Sequence, residues 1–169
     1  MTDGAPTLTT TRPKLPYAAA VVALVGLADS IYLTAHHYTQ EAVACTLIEG
    51  CEMVLTSPYA TIGGFIAATT GTVLDPAGFI ANFPLAAVGA ITYFVAFSLA
   101  LLAAFGDSRM WKLFIALAVW MAIFTGFLLY VQGALIGHFC QFCLLSAVSS
   151  FTLFAIAMLS LRRGKTVAS

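Results

Sequence analysis

Charge is what this chain has least of. Only 8% of its 169 residues are Asp, Glu, Lys or Arg, against roughly a quarter in a soluble domain. Hydrophobic residues make up 61% and the mean hydropathy is +0.98, which excludes a water-soluble globule and indicates an integral membrane protein. Seven basic residues balance seven acidic ones, so the formal net charge is zero. That leaves no basic surface of the kind that binds nucleic acid. Lysine and arginine are missing from residues 15–108 and 113–161; those present are Arg12, Lys14, Arg109, Lys112, Arg162, Arg163 and Lys165. Cysteine is scarce too, with Cys45, Cys51, Cys140 and Cys143 the full set.

Long apolar runs are what the chain has in quantity. Four windows, 17–38, 84–105, 112–133 and 139–161, reach the roughly 20 residues a helix needs to cross the hydrocarbon. With four spans every basic residue falls on the side of the N-terminus, which the positive-inside bias makes the cytoplasm. Glu41, Glu49, Glu52 and Asp75 face the other side, with no lysine or arginine. Residues 60–82 compete as a fifth span, but Gly63, Gly64, Gly71, Gly78 and the Asp75-Pro76 pair are poor for one. Counting it would also move Arg109 and the C-terminal basic cluster outside, so it reads as a short amphipathic or re-entrant piece on the outer membrane surface. Gly26-Leu27-Ala28 would suit a signal peptidase, yet the apolar run continues through Ile31, Tyr32 and Leu33, which favours a retained span.

This topology puts all four thiols on the extracytoplasmic side, where disulfide chemistry is permitted. Cys140 and Cys143, at i and i+3, share one helix face and are close enough to form or break a disulfide. Gly133 and Gly137 place the start of the fourth helix near His138 or Phe139. Cys140 would then sit in the first turn, where free amides and the helix dipole favour a thiolate. Cys45 and Cys51, in CTLIEGC, would close a small loop beside Gly50. A structural disulfide or packing cysteines would be the plainer account of either pair, and a zinc site would use all four sulfurs at an atypical spacing. One pair in a loop and one at the membrane edge point instead to a relay that passes two electrons by thiol–disulfide exchange. The acceptor must dissolve in the bilayer and take two electrons, demands that a quinone meets.

The order DSIYLTAHHY, CTLIEGC with EMVLTSPYAT, FPLAAVGAITY and CQFC resembles bacterial homologues of vitamin K epoxide reductase, over about residues 15–162. DsbB-type oxidases perform similar chemistry with a different cysteine arrangement. The resemblance implies that Cys143 contacts the quinone and that Cys140 exchanges with the loop pair. It implies further that Cys51 attacks the CxxC, that Cys45 takes electrons from a thioredoxin-like partner, and that Ser57-Pro58-Tyr59 begins a half-helix over the quinone pocket. Ser57 and Tyr59 are therefore candidate quinone contacts. This chain departs from the pattern in three ways. It carries an insertion around 66–80; Ala147 stands where the vertebrate enzymes have a tyrosine four residues after the second CxxC cysteine; and no fused thioredoxin-like domain follows, so the expected partner is a separate DsbA-like protein.

Polar residues within the spans complete the reading. Asp29 reads as a structural group, protonated or hydrogen-bonded between helices, with a proton route to the quinone as the alternative. Ser30, Thr34 and His37 share one face, as do Cys143, Ser146 and Ser150, and both faces are expected to point into the bundle. His36, His37 and His138 are candidates to stabilise a thiolate or donate a proton. The expected architecture is all-α, a four-transmembrane-helix bundle over 16–162 with an extracytoplasmic loop at 39–83 and a short lid helix, flanked by cytoplasmic tails 1–15 and 163–169. The expected activity is quinone-dependent disulfide generation in a bacterial inner membrane, with menaquinone or ubiquinone as acceptor. Vitamin K quinone or epoxide reduction is the alternative within the same chemistry. A soft-metal carrier is the rival from another class, opposed by the lack of cytoplasmic thiols.

Overall fold

A computed structural model describes residues 14–39, 50–75 and 78–166. Cys45 lies outside them. The chain begins with α1 (Lys14–Thr39); then come two short helices, α2 (Cys51–Leu55) and α3 (Ile62–Thr70), separated by a 3-10 turn at Pro58–Ala60. Next are α4 (Leu85–Ala104), α5 (Ser108–Tyr130), a π-helical segment Val131–Ile136 that continues α5, and α6 (Gln141–Thr166). Four helical stretches, Lys14–Thr39, Leu85–Ala104, Ser108–Ile136 and Gln141–Arg162, are long and apolar enough to cross a membrane.

The long helices close a ring in which α1 and α5 each pack against both α4 and α6. Small residues make the tightest seam: Ala19, Ala20 and Ala23 of α1 are buried with Ala96 and Ala100 of α4, and backbones approach closely where side chains are small. Gly26 extends the seam, because a Cβ there would run into the ring of Tyr93. Large apolar side chains such as Val21, Ile91, Trp120 and Val148 point outward and exposed, as a lipid-facing surface requires. Away from the cysteines, the Asp107 carboxylate caps α5 by accepting from the Arg109 N–H at 2.9 Å. The Trp111 indole N–H donates to Ser160 Oγ at 3.1 Å, tying α5 to α6.

At the cysteine end the short helices form a cap. Residues 60–82 do not span: α3 stops after nine residues, with Gly71 in the left-handed conformation at its C-terminus. The Ile62 N–H donates to Phe83 O and the Gly63 N–H to Ala81 O, each at 3.0 Å. These bonds join the start of α3 to the approach to α4. The Phe65 ring stands 6.0 Å from Phe124 and 5.8 Å from Phe127, so α3 leans on α5.

The fourth span begins later than its glycines suggest. Gly137, at φ 73°, ends the π-helical segment, and residues 137–140 run without regular structure to the start of α6 at Gln141. Cys140 is thus the residue before the helix, its carbonyl accepting from the Leu144 N–H at 3.0 Å.

Candidate functional site

Everything reactive in the described residues gathers under the cap. Cys140 is fully buried, and Cys51, 1% exposed, belongs to the same apolar cluster together with Val54. Cys51 is disulfide-bonded, whereas Cys140 and Cys143 carry free thiols. Gly50 makes this approach close: at φ 153° its Cα lies where an added Cβ would be 2.9 Å from Phe139 O, so a side chain there would push α2 off the segment that leads to Cys140.

Two thiols at the head of α6 are not equivalent. The Cys140 sulfur accepts a hydrogen bond from the Cys143 thiol and further ones from the backbone amides of Cys143 and Phe142. The Cys143 thiol contributes most, and together these donors outweigh the cost of burial and bring the Cys140 thiol down to about 6. Gln132, on the π-helical segment, joins the pair: its Oε1 accepts from the Cys140 N–H at 3.5 Å, and its side chain hydrogen-bonds Cys143. A π-helical distortion is a common way to re-aim a functional side chain; here it turns a buried glutamine toward the thiols.

Cys143 also faces the other way, into a cavity of about 370 Å³ enclosed by α1, α4, α5, α6 and the cap. The volume lies within the range of small-molecule sites, roughly 300–1,000 Å³. Its wall is mainly apolar, with Leu33, Val54, Met121 and Phe124 among its members, and Ser57 and Tyr59 of the cap also line it. Ala147 lines the same wall, so the position at which vertebrate relatives carry a tyrosine contributes only a methyl group. An apolar slot beside a free thiol, with a few hydroxyls at fixed positions, suits a flat quinone ring.

Those hydroxyls include one that the sequence reading missed. Tyr93 of α4, 2% exposed, lines the cavity and donates to the Ser146 carbonyl at 2.7 Å. Its oxygen also lies 3.0 Å from Ser146 Oγ and 2.8 Å from Ser150 Oγ. The expected inward face of Cys143, Ser146 and Ser150 is therefore present, and Tyr93 is what it meets. Its sequence signal was the coincidence of a tyrosine in mid-span with two serines in another span.

The remaining polar residues divide. Ser30 and His37 reach the cavity wall, but Thr34 bonds the Ser30 carbonyl of its own helix at 2.7 Å, which is not an interhelical bond. His138 is exposed and is not part of the cavity wall. Asp29 is 6% exposed, yet among the described residues neither carboxylate oxygen has a hydrogen-bond partner. Of the readings open for it, an interhelical hydrogen bond is not formed among the described residues. Asp29 lies within electrostatic range of Cys140, Cys143 and Tyr93.

Comparison with curated proteins returns no match. The sequence profile of the vitamin K epoxide reductase family, by contrast, matches residues 17–158, which take in most or all of each of the four long apolar helices, both cysteine pairs and the cavity; the chain belongs to that family.

Proposed function

We propose that this protein generates disulfides de novo, taking electrons from a thioredoxin-like protein through Cys45 and Cys51 and delivering them through Cys140 and Cys143 to a quinone. The family makes it a multi-pass membrane oxidoreductase acting on disulfides and quinones. The observation that carries the finer reading is the two-sided head of α6. Cys140 adjoins the disulfide-bonded Cys51, and Cys143 opens onto the cavity.

In this reading a thiolate of the loop pair attacks the CxxC disulfide at Cys140, forming a mixed disulfide that Cys143 leaves. The second loop thiol then resolves it, leaving the loop pair oxidised and the CxxC reduced. The free thiols of Cys140 and Cys143 and the disulfide at Cys51 match the state after that exchange. The cavity holds the acceptor, whose chemistry is to take two electrons and two protons. Ser57, Tyr59 and Tyr93 orient it, and the apolar wall excludes water from the thiols. Menaquinone and ubiquinone suit a wall in which Ala147 replaces a tyrosine, whereas vitamin K epoxide reduction has less support there. The distribution of the basic residues supports a topology with both termini in the bacterial cytoplasm and the cap outside it.

The test is anaerobic mixing of the purified protein with a quinone and a reduced thioredoxin-like substrate, following quinone absorbance. Quinol formation that requires the substrate and disappears in Cys45→Ala is the expected result. Substrate-dependent quinol formation that persists in Cys45→Ala would remove the relay.

A further inference from the structure

We propose that Asp29 is the proton store of the thiol pair, holding in the reduced site the proton that Cys140 gives up and releasing it when the pair is oxidised. The inference deepens the functional reading above and rests on it for the nature of the electron acceptor.

Three observations converge on this residue. Asp29 is buried in the middle of a spanning helix, where an ionised carboxylate is expensive and is usually functional. Among the described residues neither of its oxygens has a hydrogen-bond partner, so no hydrogen bond there offsets that cost. Along α1 it lies between Gly26, about one turn earlier, where a Cβ would run into the ring of Tyr93, and Tyr32, about one turn later, whose ring centroid stands 5.0 Å from that of Phe142 within the CxxC; Cys140, Cys143 and Tyr93 are within electrostatic range of it. All three belong to the redox site.

The amides of Phe142 and Cys143 and the Cys143 thiol favour a thiolate on Cys140. A carboxylate and a thiolate within electrostatic range of each other in a low-dielectric interior repel, so the two groups compete for one proton. The reduced site then contains the Asp29 carboxylic acid, the Cys140 thiolate and the Cys143 thiol. Oxidation forms the Cys140–Cys143 disulfide and sends two electrons to the quinone. One proton leaves Cys143 and one leaves Asp29, giving quinol and an Asp29 carboxylate. The site carries one negative charge before and after, on Cys140 when reduced and on Asp29 when oxidised. No net charge has to enter or leave the membrane interior.

The deciding measurement counts protons without any quinone. The full chain in detergent is reduced with dithiothreitol at near-neutral pH in weak buffer with the loop pair removed as Cys45→Ala/Cys51→Ala, and net proton release is read per CxxC disulfide alongside thiolate ultraviolet absorbance. Dithiothreitol brings two protons with its two electrons, so with one thiolate formed no net release is expected with Asp29 intact, one proton released with Asp29→Asn, and none again with Asp29→Glu. Equal release with Asp29 and with Asn at that position would overturn the proposal. Infrared difference spectra of the same protein with Asp29 intact give a second readout that needs no substitution: a protonated carboxyl band should appear on reduction, and its absence would also overturn it. In single-turnover quinone reduction, Asp29→Asn should be slowed about 100-fold, within the range of a lost proton-transfer group. If the wild type reduces no quinone at all, the functional reading fails while the proton count still decides the role of Asp29.

Discussion

Gly26 of α1 lies directly against the ring of Tyr93 on α4, so closely that a Cβ on the glycine would occupy the space of the ring. The hydroxyl at the far end of that ring meets Ser146 and Ser150 of α6. One side chain thus connects three of the four long helices, and its position depends on a missing methyl group on the first of them.

Substituting Gly26→Ala should therefore displace Tyr93 or separate α1 from α4. Overpacking of this kind costs about 1–3 kcal/mol. A lower melting temperature in detergent is expected, accompanied by weaker quinone binding because Tyr93 lines the cavity. A stability unchanged from wild type would mean that the ring moves freely.

Tyr93→Phe keeps the ring and removes the hydroxyl. The serine hydroxyls then lose a shared partner, at about 1 kcal/mol for a hydrogen bond of this kind. Because the same oxygen lies in the cavity wall, the KM for quinone should rise severalfold with little effect on exchange between the cysteine pairs. Steady-state kinetics against quinone concentration, beside loop-pair oxidation monitored by alkylation, separate the two effects.

Gly50→Ala tests the opposite face of the site. The residue must hold φ 153° with Phe139 O 2.9 Å from where its Cβ would be, and a non-glycine residue held in such backbone costs about 1–3 kcal/mol. Transfer from Cys51 to Cys140 should slow by about 10-fold or more at roughly 1.4 kcal/mol per decade, while single-turnover quinone reduction by a pre-reduced CxxC stays near wild type. Equal slowing of both steps would show that the substitution disturbs the whole head of α6.

The pH dependence of Cys140 follows from its donors. Its thiol is lowered to about 6, so it is a thiolate above that value and a thiol below it. Alkylation in a Cys45→Ala/Cys51→Ala background should rise through an inflection near about 6. Cys143→Ala removes the largest of the stabilising donors, and the inflection should then move to higher pH. An inflection that stays in place would assign the effect to the backbone amides alone.

Much of this arrangement was legible in the sequence, and the exceptions share one cause. Hydropathy marks the four spans because a lipid-facing helix must be apolar around most of its surface, and the glycines of 60–82 mark it as a segment that does not cross. The CxxC announces itself by spacing. Tyr93 does not, since ITYFVAF reads as any aromatic-containing span, and only the packing of α4 on α6 shows that its hydroxyl meets Ser146 and Ser150. Gln132 was hidden in the same way: its role depends on a π-helical turn, and that irregularity also delays α6 to Gln141, so that Cys140 precedes the helix instead of lying in its first turn. Local pattern reports what each segment buries. It does not report which neighbour receives the buried group.

The pair of bonds from Ile62 and Gly63 to Phe83 and Ala81 has an architectural consequence. They pinch the chain into a lariat whose neck is fixed on the bundle, so the length of the noose is free to vary at small entropic cost. Val73, 79% exposed on that noose, is accordingly a natural attachment point for a fluorophore or an affinity handle, a place where the protein can be gripped or watched without touching the thiols beneath.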